Sequence, residues 1–321
     1  MCASLLAQEI YLLERYSSID YFGDLRDAWS AMIDHVEDCL SRFMSRLPPD
    51  YRSRPVPKQP DIVWGQRVLP NFRQSLQTLD DAFIRLTHGD ASALRAASAI
   101  TGDVRGQNDF SSDWFDEVEP GSGARYGELL SRANQMAVNV ETTISIGWLT
   151  GALSQRYSSR RRGELHRPQS WPRYTLDSTV QVRTGQPAPE SGIYLPDVPD
   201  AAAQFLLAGR KVAPAMTGFD GQQYVREEPA VWTRVRRVQS ETVNDGLADL
   251  LTAGPGADSM KVAGGQPCPR AGWWLTPSQA QSRRYFRQGE VFPIIEGSAY
   301  GSTFWQWDRD QDEPSLRQDN P

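Results

Sequence analysis

The sequence predicts an α+β protein with an N-terminal helical bundle followed by a mostly-β C-terminal domain. Apolar residues recur at helical spacing as far as Trp148, whereas strand-like runs cut by Gly and Pro follow Trp171. A third observation is a repeat: the phrase GQPAPESGIYLP at 185–196 returns as GQPCPRAGWWLTP at 265–277. The 321 residues are enough for about two domains.

Three long apolar stripes and one short Ala-rich helix predict the bundle, over residues 1–157. Each stripe alternates spacings of three and four residues, so it lies along one helix face and must be buried against the others. Pro48 ends the first helix, Gly89 the second, and Asp90 caps the short third, which stops near Gly102. The stripes are Leu25, Trp29, Met32, Val36, Cys39, Phe43 and Leu47; Phe72, Leu76, Leu79, Phe83 and Leu86; and Tyr126, Leu129, Ala133, Met136, Val140, Ile144 and Trp148.

Residues 158–172 are predicted to be an interdomain linker. They contain the basic run Arg160, Arg161 and Arg162, which is weak evidence for nucleic-acid binding. Beyond them, residues 173–309 are predicted to form a tandem ββαββ duplication. The copies span about 178–236 and 258–308, one further helix joins them, and residues 310–321 form a disordered tail.

The two copies align without a gap, and each can be parsed in the same way. A strand precedes a Gly-Gln-Pro-x-Pro turn, which is followed by a return strand, a helix ending at Gly, and a second strand pair. One such unit buries little apolar surface, so the repeated aromatics are expected to form one shared core rather than two ligand sites. The positions assigned a structural role are Gly192, Tyr194, Gly209, Gly272, Trp274, Gly289, Trp305 and Trp307.

Composition narrows the class of protein. The formal net charge of −6 argues against a nucleic-acid binder, and the odd number of cysteines, three, fits neither a disulfide framework nor a zinc site. The N-terminus lacks the basic and apolar regions of a signal peptide, and no apolar run is long enough to span a membrane. We therefore expect a cytoplasmic location.

Motifs of catalysis are missing from the sequence. It contains only three histidines and no H-E-x-x-H, C-x-x-C, P-loop or G-x-S-x-G pattern. We therefore expect a binding protein rather than an enzyme, without a cofactor or a metal. Two kinds of partner fit these observations: a basic protein, or a carbohydrate or peptide stacked on the repeat aromatics Trp273, Trp274, Trp305 and Trp307.

The segment DVRGQNDFSSDWFDEVEPGSG, residues 103–123, is both acidic and aromatic. One interpretation is a solvated connection whose aromatics pack back on the bundle. The other is a docking loop with aromatic anchors in an acidic rim, a composition favoured at protein interfaces. On the second interpretation the candidate contact residues are Asp109, Asp113, Trp114, Asp116, Glu117 and Glu119.

The second copy carries four short motifs in series. They are C-P-x-x-G-x-W with Cys268, Pro269, Gly272 and Trp274; S-R-R-x-F with Ser282, Arg283, Arg284 and Phe286; G-E-x-x-P with Gly289, Glu290 and Pro293; and W-Q-W-D with Trp305, Gln306, Trp307 and Asp308. This series resembles the C-terminal part of bacterial polymorphic-toxin immunity proteins of the immunity protein 71/72 group.

The resemblance implies that the protein binds and neutralises a toxin, with no catalytic residues of its own. Such a toxin would be delivered by contact-dependent secretion such as the type VI system and would act in the cytoplasm. Nucleases are the commonest toxins of this kind, and they carry positive charge to hold phosphates. A chain with net charge −6 is the expected electrostatic complement.

Overall fold

The computed structural model describes residues 4–218, 226–251, 261–276, 279, 282–295 and 303–308. Helices at the N-terminal side and antiparallel sheets at the C-terminal side confirm the predicted α+β class. The chain divides into two compact units, Met1–Leu250 and Leu251–Pro321.

The three predicted long helices are present in the first unit. They are α2 (Ile19–Met44), α3 (Leu69–Thr87) and α6 (Ser122–Ile144). Ser18 caps α2, because its hydroxyl accepts a hydrogen bond from the Tyr21 backbone N–H at 3.1 Å. Gly89 follows α3 with φ at +85°, a left-handed conformation that favours glycine.

Several helical elements were not predicted from the sequence. The chain begins with α1 (Ala7–Tyr16), and a π-helix over Asp61–Val68 leads directly into α3. The Ala-rich segment is a 3₁₀ turn, Ala91–Ala96, that continues as α4 (Ala97–Gln107), beyond the expected end at Gly102. The remaining short helices are 3₁₀ turns at Tyr51–Ser53 and Val56–Lys58, α5 (Trp114–Val118) and α7 (Ser159–Arg162).

The first β copy forms a four-stranded antiparallel sheet in the order β1-β6-β2-β3. Side chains alternate between its two faces. Ile193 and Phe205 on one face belong to the same hydrophobic core as the helices, whereas Tyr194 and Trp232 on the other face belong to a separate cluster. The strands are β1 (Trp171–Arg183), β2 (Gly192–Pro196), β3 (Gln204–Leu206) and β6 (Val231–Val243), with a separate hairpin of β4 (Ala215–Thr217) and β5 (Arg226–Glu228).

The second unit repeats this sheet in miniature, with strand order β7-β10-β8-β9. The backbone hydrogen bonds of the Gly-Gln-Pro turn recur at the aligned positions, and so do the positive φ angles of its glycines. The matched bonds are Gly185 N to Val212 O at 2.8 Å and Ala188 N to Arg210 O at 2.9 Å, against Gly265 N to Phe292 O at 2.7 Å and Cys268 N to Glu290 O at 2.7 Å. The strands are β7 (Lys261–Ala263), β8 (Gly272–Leu275), β9 (Arg284–Phe286) and β10 (Phe304–Trp307).

The helix predicted inside each copy is wrong. Gln204–Leu206 and Arg284–Phe286 are short strands that pair with β2 and β8. Ala201 through Leu207 are all buried, and a run buried on every side has no periodicity that separates a helix from a strand. The helix expected between the copies is also missing from the described residues, since β6 continues to Val243 and turns follow it.

The strand pairing and the cores also differ from expectation. In the first copy the second strand pair was expected between 211–216 and 230–235. Residues 231–235 instead begin β6, which pairs with β1 and β2. Each copy encloses its own cluster of buried aromatics, around Trp232 in the first and around Trp274 in the second.

The division between the units does not follow the expected linker. Residues 158–172 include α7 and the start of β1, and Tyr157 Oη donates to Gly163 O at 3.0 Å. Gln204 in β3 forms a reciprocal pair with the Trp148 backbone, donating to its O at 2.7 Å and accepting from its N at 3.2 Å. The first β copy is therefore joined to the bundle. The expected tail, 310–321, lies outside the described residues.

Candidate interaction surface

The aromatic residues of the acidic segment point into the bundle. Trp114 is 6% exposed and Phe115 fully buried, and both lie on α5. Phe115 stacks on Tyr126 with ring centroids 4.8 Å apart, and Trp64 meets Phe115 edge to face at 5.0 Å. This geometry favours the first of the two interpretations, in which the aromatics pack back on the bundle.

Trp114 therefore does not have the exposed ring that a docking anchor needs. The sequence predicts it as a contact residue because an aromatic side chain within an acidic rim is typical of protein interfaces. In the structure the short helix α5 turns Trp114 and Phe115 inward and leaves Asp113, Asp116 and Glu117 exposed. What Trp114 provides is a rigid support for those carboxylates.

Three of the predicted carboxylates are held in fixed positions. Glu119 Oε2 accepts from Arg42 Nη2 at 2.6 Å, and Glu117 Oε2 accepts from Arg54 Nη1 at 3.2 Å. The hydrogen bond with Glu119 is the main reason that the pKa of Arg42 is raised. Asp116 Oδ1 accepts from the backbone N–H groups of Gly121 and Gly123, both at 3.0 Å, and so caps the start of α6.

Asp109 and Asp113 are exposed and form no ion pair with any described residue. Asp109 follows the end of α4, and Asp113 immediately precedes α5. Because they lack a protein cation, their charges are the least compensated of the predicted set. They are therefore the carboxylates most available to a basic partner.

The outer face of α2 adds a second set of carboxylates, which the sequence reasoning missed. Five exposed aspartates recur at three-, four- and seven-residue steps, opposite the apolar stripe. The sequence signal for this face lies between the apolar positions of the α2 stripe. The five are Asp20, Asp24, Asp27, Asp34 and Asp38.

The two sets of carboxylates are continuous. Arg42, near the end of α2, lies between Asp38 Oδ2 at 3.4 Å and Glu119 Oε2 at 2.6 Å. Acidic residues outnumber basic ones within 1–157 and balance them in the rest of the sequence, so the net charge of −6 resides in the helical half. We call the exposed carboxylates of α2 and of 109–119 together the acidic face.

One contact in the bundle resembles a catalytic pair. Cys39 Sγ lies 3.7 Å from His35 Nε2, which in turn lies 3.0 Å from the Ser122 carbonyl oxygen. Cys39 is completely buried, and burial raises the pKa of its thiol. The thiol therefore stays protonated and inaccessible. The pair is a packing contact beside Ser122, near the end of the acidic segment 103–123.

The repeat aromatics lie mostly in the two sheet cores. Tyr194 and Trp274 are completely buried, and Trp305 is 2% exposed. Trp307 contacts Trp274 edge to face with centroids 5.3 Å apart. Of the four tryptophans proposed for a carbohydrate or peptide platform, Trp274 and Trp305 are therefore buried in the core, whereas Trp273 is half-buried and meets Tyr285 edge to face at 5.8 Å. The structural role assigned to Tyr194, Trp274 and Trp305 fits their burial.

The glycines of the repeat also take structural positions. Gly209 and Gly289 have φ of +73° and +85° at equivalent turns, and a Cβ at Gly192 would overlap the Arg234 guanidinium. Gly272 begins β8 as Gly192 begins β2. Within the described ranges, no three side chains of His, Cys, Asp or Glu gather as a metal site would require.

No helix in the described part of the chain has both the length and the apolarity needed to cross a membrane. The chain was also compared with protein-family models, with curated proteins and with solved structures, and none of the three comparisons finds a match.

Proposed function

We propose that this chain is an immunity protein that binds and neutralises a basic antibacterial toxin, a nuclease effector of a type VI secretion system, in the cytoplasm. The observation that carries the proposal is the acidic face, a row of exposed carboxylates held on a rigid helical support. The motif series of the second copy, Cys268 to Asp308, points to the same class of protein.

The electrostatics suit a nuclease inhibitor. A nuclease concentrates positive charge where it holds phosphates, and a row of carboxylates presents the complementary charge. Opposite charges steer encounter and raise the association rate, which matters for a protein that must capture a toxin before it acts. A partner held this way would bind more slowly as salt increases.

The support beneath the face contributes to binding indirectly. Trp64, Phe115 and Tyr126 fix α5 against the bundle, and Arg42 and Arg54 fix Glu119 and Glu117. Carboxylates that are already ordered lose little conformational freedom when a partner binds. The part of the acidic face around Glu117 and Glu119 is therefore ordered before a partner binds.

The experiment is co-expression with the product of the adjacent upstream gene, scored by survival and by co-purification. Rescue with a stable complex is expected. Asp34→Lys and Asp113→Lys should slow association by about tenfold and flatten its dependence on salt. Glu227→Lys on β5 is the matched control, since it reverses an exposed charge outside the acidic face.

Two outcomes would count against the proposal in different ways. Viable cells without a complex would remove the immunity function. A complex whose association rate is unchanged by Asp34→Lys and Asp113→Lys would keep the function but move the contact away from the acidic face.

A further inference from the structure

Beside the acidic face, and sharing Asp24 with it, lies a cavity whose inner wall is basic. This open cavity of about 410 Å³ lies among α1, α2, α6 and the segment after α7. Its wall includes Arg15, Tyr21, Arg132 and Arg162, so three guanidinium groups from three parts of the chain line one space. A cavity of this size falls in the range of small-molecule sites.

The proposal depends most on Arg162, a half-buried arginine with no carboxylate partner among the described residues. It belongs to the basic run that the sequence showed at 160–162; in the structure Arg160 and Arg161 are exposed and Arg162 is half-buried. Its guanidinium lies over the Trp148 ring, 4.6 Å from the centroid, and within the described part of the chain it donates to Asn139 Oδ1 at 3.4 Å. No ion pair of Arg162 with a described carboxylate is present, although burial lowers its pKa and so makes the charge costly.

The backbone of Arg162 is held in place by Asn139. Asn139 is completely buried, and its Nδ2 donates both to the Arg162 backbone oxygen and to Tyr21 Oη, each at 2.9 Å. Tyr21 Oη therefore accepts from Asn139, and its own proton remains for another acceptor. Burial raises the pKa of Tyr21 to about 12, so this hydroxyl is a donor at neutral pH.

Arg15 is a third donor at the same wall. It lies over the Tyr21 ring, 5.6 Å from the centroid, and forms no ion pair with a described residue. The carboxylates at the rim are Asp24 and Glu164, both exposed, and His166 also lines the cavity. The donors thus outnumber the acceptors at the inner wall, and they come from α1, α2 and the end of α7.

We propose that this cavity is a binding site for a small phosphate-bearing molecule, with its phosphate held by Arg15, Arg162 and the Tyr21 hydroxyl. The donors approach from separate elements. A tetrahedral phosphate presents acceptor oxygens in several directions, whereas the two oxygens of a carboxylate lie in one plane. Leu12 and Met136 supply an apolar wall for the rest of the molecule.

The test uses the full chain and two probes, inorganic phosphate and a nucleoside monophosphate, titrated at constant ionic strength by calorimetry. Binding of at least one probe is expected. Arg162→Gln and Tyr21→Phe should each weaken it by about tenfold, since each removes one donor to a charged ligand. Arg125→Gln, an exposed arginine of α6 paired with Glu128, is the control and should leave affinity unchanged.

The two probes separate two sources of the same chemistry. Binding of both with equal affinity identifies the phosphate group itself as the ligand, and tighter binding of the monophosphate shows that the apolar wall contributes. Binding of neither probe, or equal binding by wild type and Tyr21→Phe, would overturn the site. Tyr21→Phe keeps the ring, so it decides the question even if Arg162→Gln disturbs the contact with Trp148.

Discussion

Trp64 and Trp114 meet edge to face with 5.7 Å between their ring centroids, yet their indole N–H groups differ. Trp64 Nε1 donates to the Ser111 carbonyl oxygen at 3.0 Å, whereas Trp114 Nε1 is buried without an acceptor among the described residues. The two rings occupy the same cluster, so they form a natural pair for measuring what one buried hydrogen bond contributes.

Trp64→Phe should destabilise the protein more than Trp114→Phe. The first change removes the donor of a half-buried hydrogen bond whose acceptor residue, Ser111, is exposed, at a cost of about 0.5 to 1.5 kcal/mol beyond lost packing. The second removes an N–H that has no partner, so only packing is lost. Urea unfolding of both variants measures the difference, and an equal loss would mean that the Ser111 bond has no net value.

Gly192→Ala should destabilise the first sheet by about 1 to 3 kcal/mol. A Cβ there would displace the Arg234 guanidinium, which donates to Ile193 O at 2.9 Å and to Glu190 Oε1 at 2.9 Å. Gly102→Ala in α4 is the control, since no atom outside the adjacent backbone of its own helix lies within 4 Å of the added Cβ. It should be neutral or stabilising by about 0.5 to 1 kcal/mol, because alanine favours helix. Thermal melts of both variants test the contrast.

In Gln204→Leu the helices and the first sheet should still unfold together, but at a lower denaturant concentration than in the wild type. It breaks both hydrogen bonds with the Trp148 backbone in a buried site, at a cost of about 2 to 4 kcal/mol. Helical circular dichroism and tryptophan fluorescence should shift in parallel. Gln181→Leu, on the exposed side of β1, is the control. Two separate transitions in circular dichroism and tryptophan fluorescence would contradict a single cooperative unit.

Glu9→Gln should be more stable than the wild type at neutral pH, with an advantage that shrinks in acid. Burial raises the pKa of Glu9 above its ordinary value of 4.5, although the hydrogen bond from Ser154 opposes this. The folded state then holds the proton more tightly than the unfolded state, so the wild type gains stability as pH falls from the raised pKa towards 4.5. Unfolding free energies of the wild type and Glu9→Gln at neutral pH and at pH 4.5 test this. If the difference between the two proteins is the same at both pH values, the titration of Glu9 does not affect stability.

The long helices could be predicted because their apolar stripes are strongly periodic. Trp29, Val36 and Phe72 were assigned to buried faces, and the structure buries all three. Helix α1 was missed because it is buried on more than one side: Gln8 and Glu9 are buried along with Ile10, so its polar residues do not mark an outer face. Periodicity carries no information about a helix that is surrounded.

The duplication could also be predicted from the sequence, because its matched turns contain residues with a positive φ angle, which favours glycine. Gly185 and Gly265 take φ of +85° and +83° in matched turns. The internal helices were predicted wrongly because burial on every side conceals alternation, as in Ala201 to Leu207. Within the candidate site, composition identified the acidic segment, but the direction of Trp114 is set by Phe43 and Trp64, which are distant in sequence.

The duplication has a consequence for how the chain can evolve. In the first copy Ile193 and Phe205 are buried in the core shared with the helices, so a change at either must be matched by a change in the bundle. Their counterparts by alignment are Trp273 and Tyr285, in a unit that holds its own core, and Tyr285 is 52% exposed. The second copy has thus been released from that constraint. Among homologues of this chain, positions 273 and 285 are therefore expected to vary more than positions 193 and 205. Substitutions at 193 and 205 are expected to be accompanied by substitutions in the bundle.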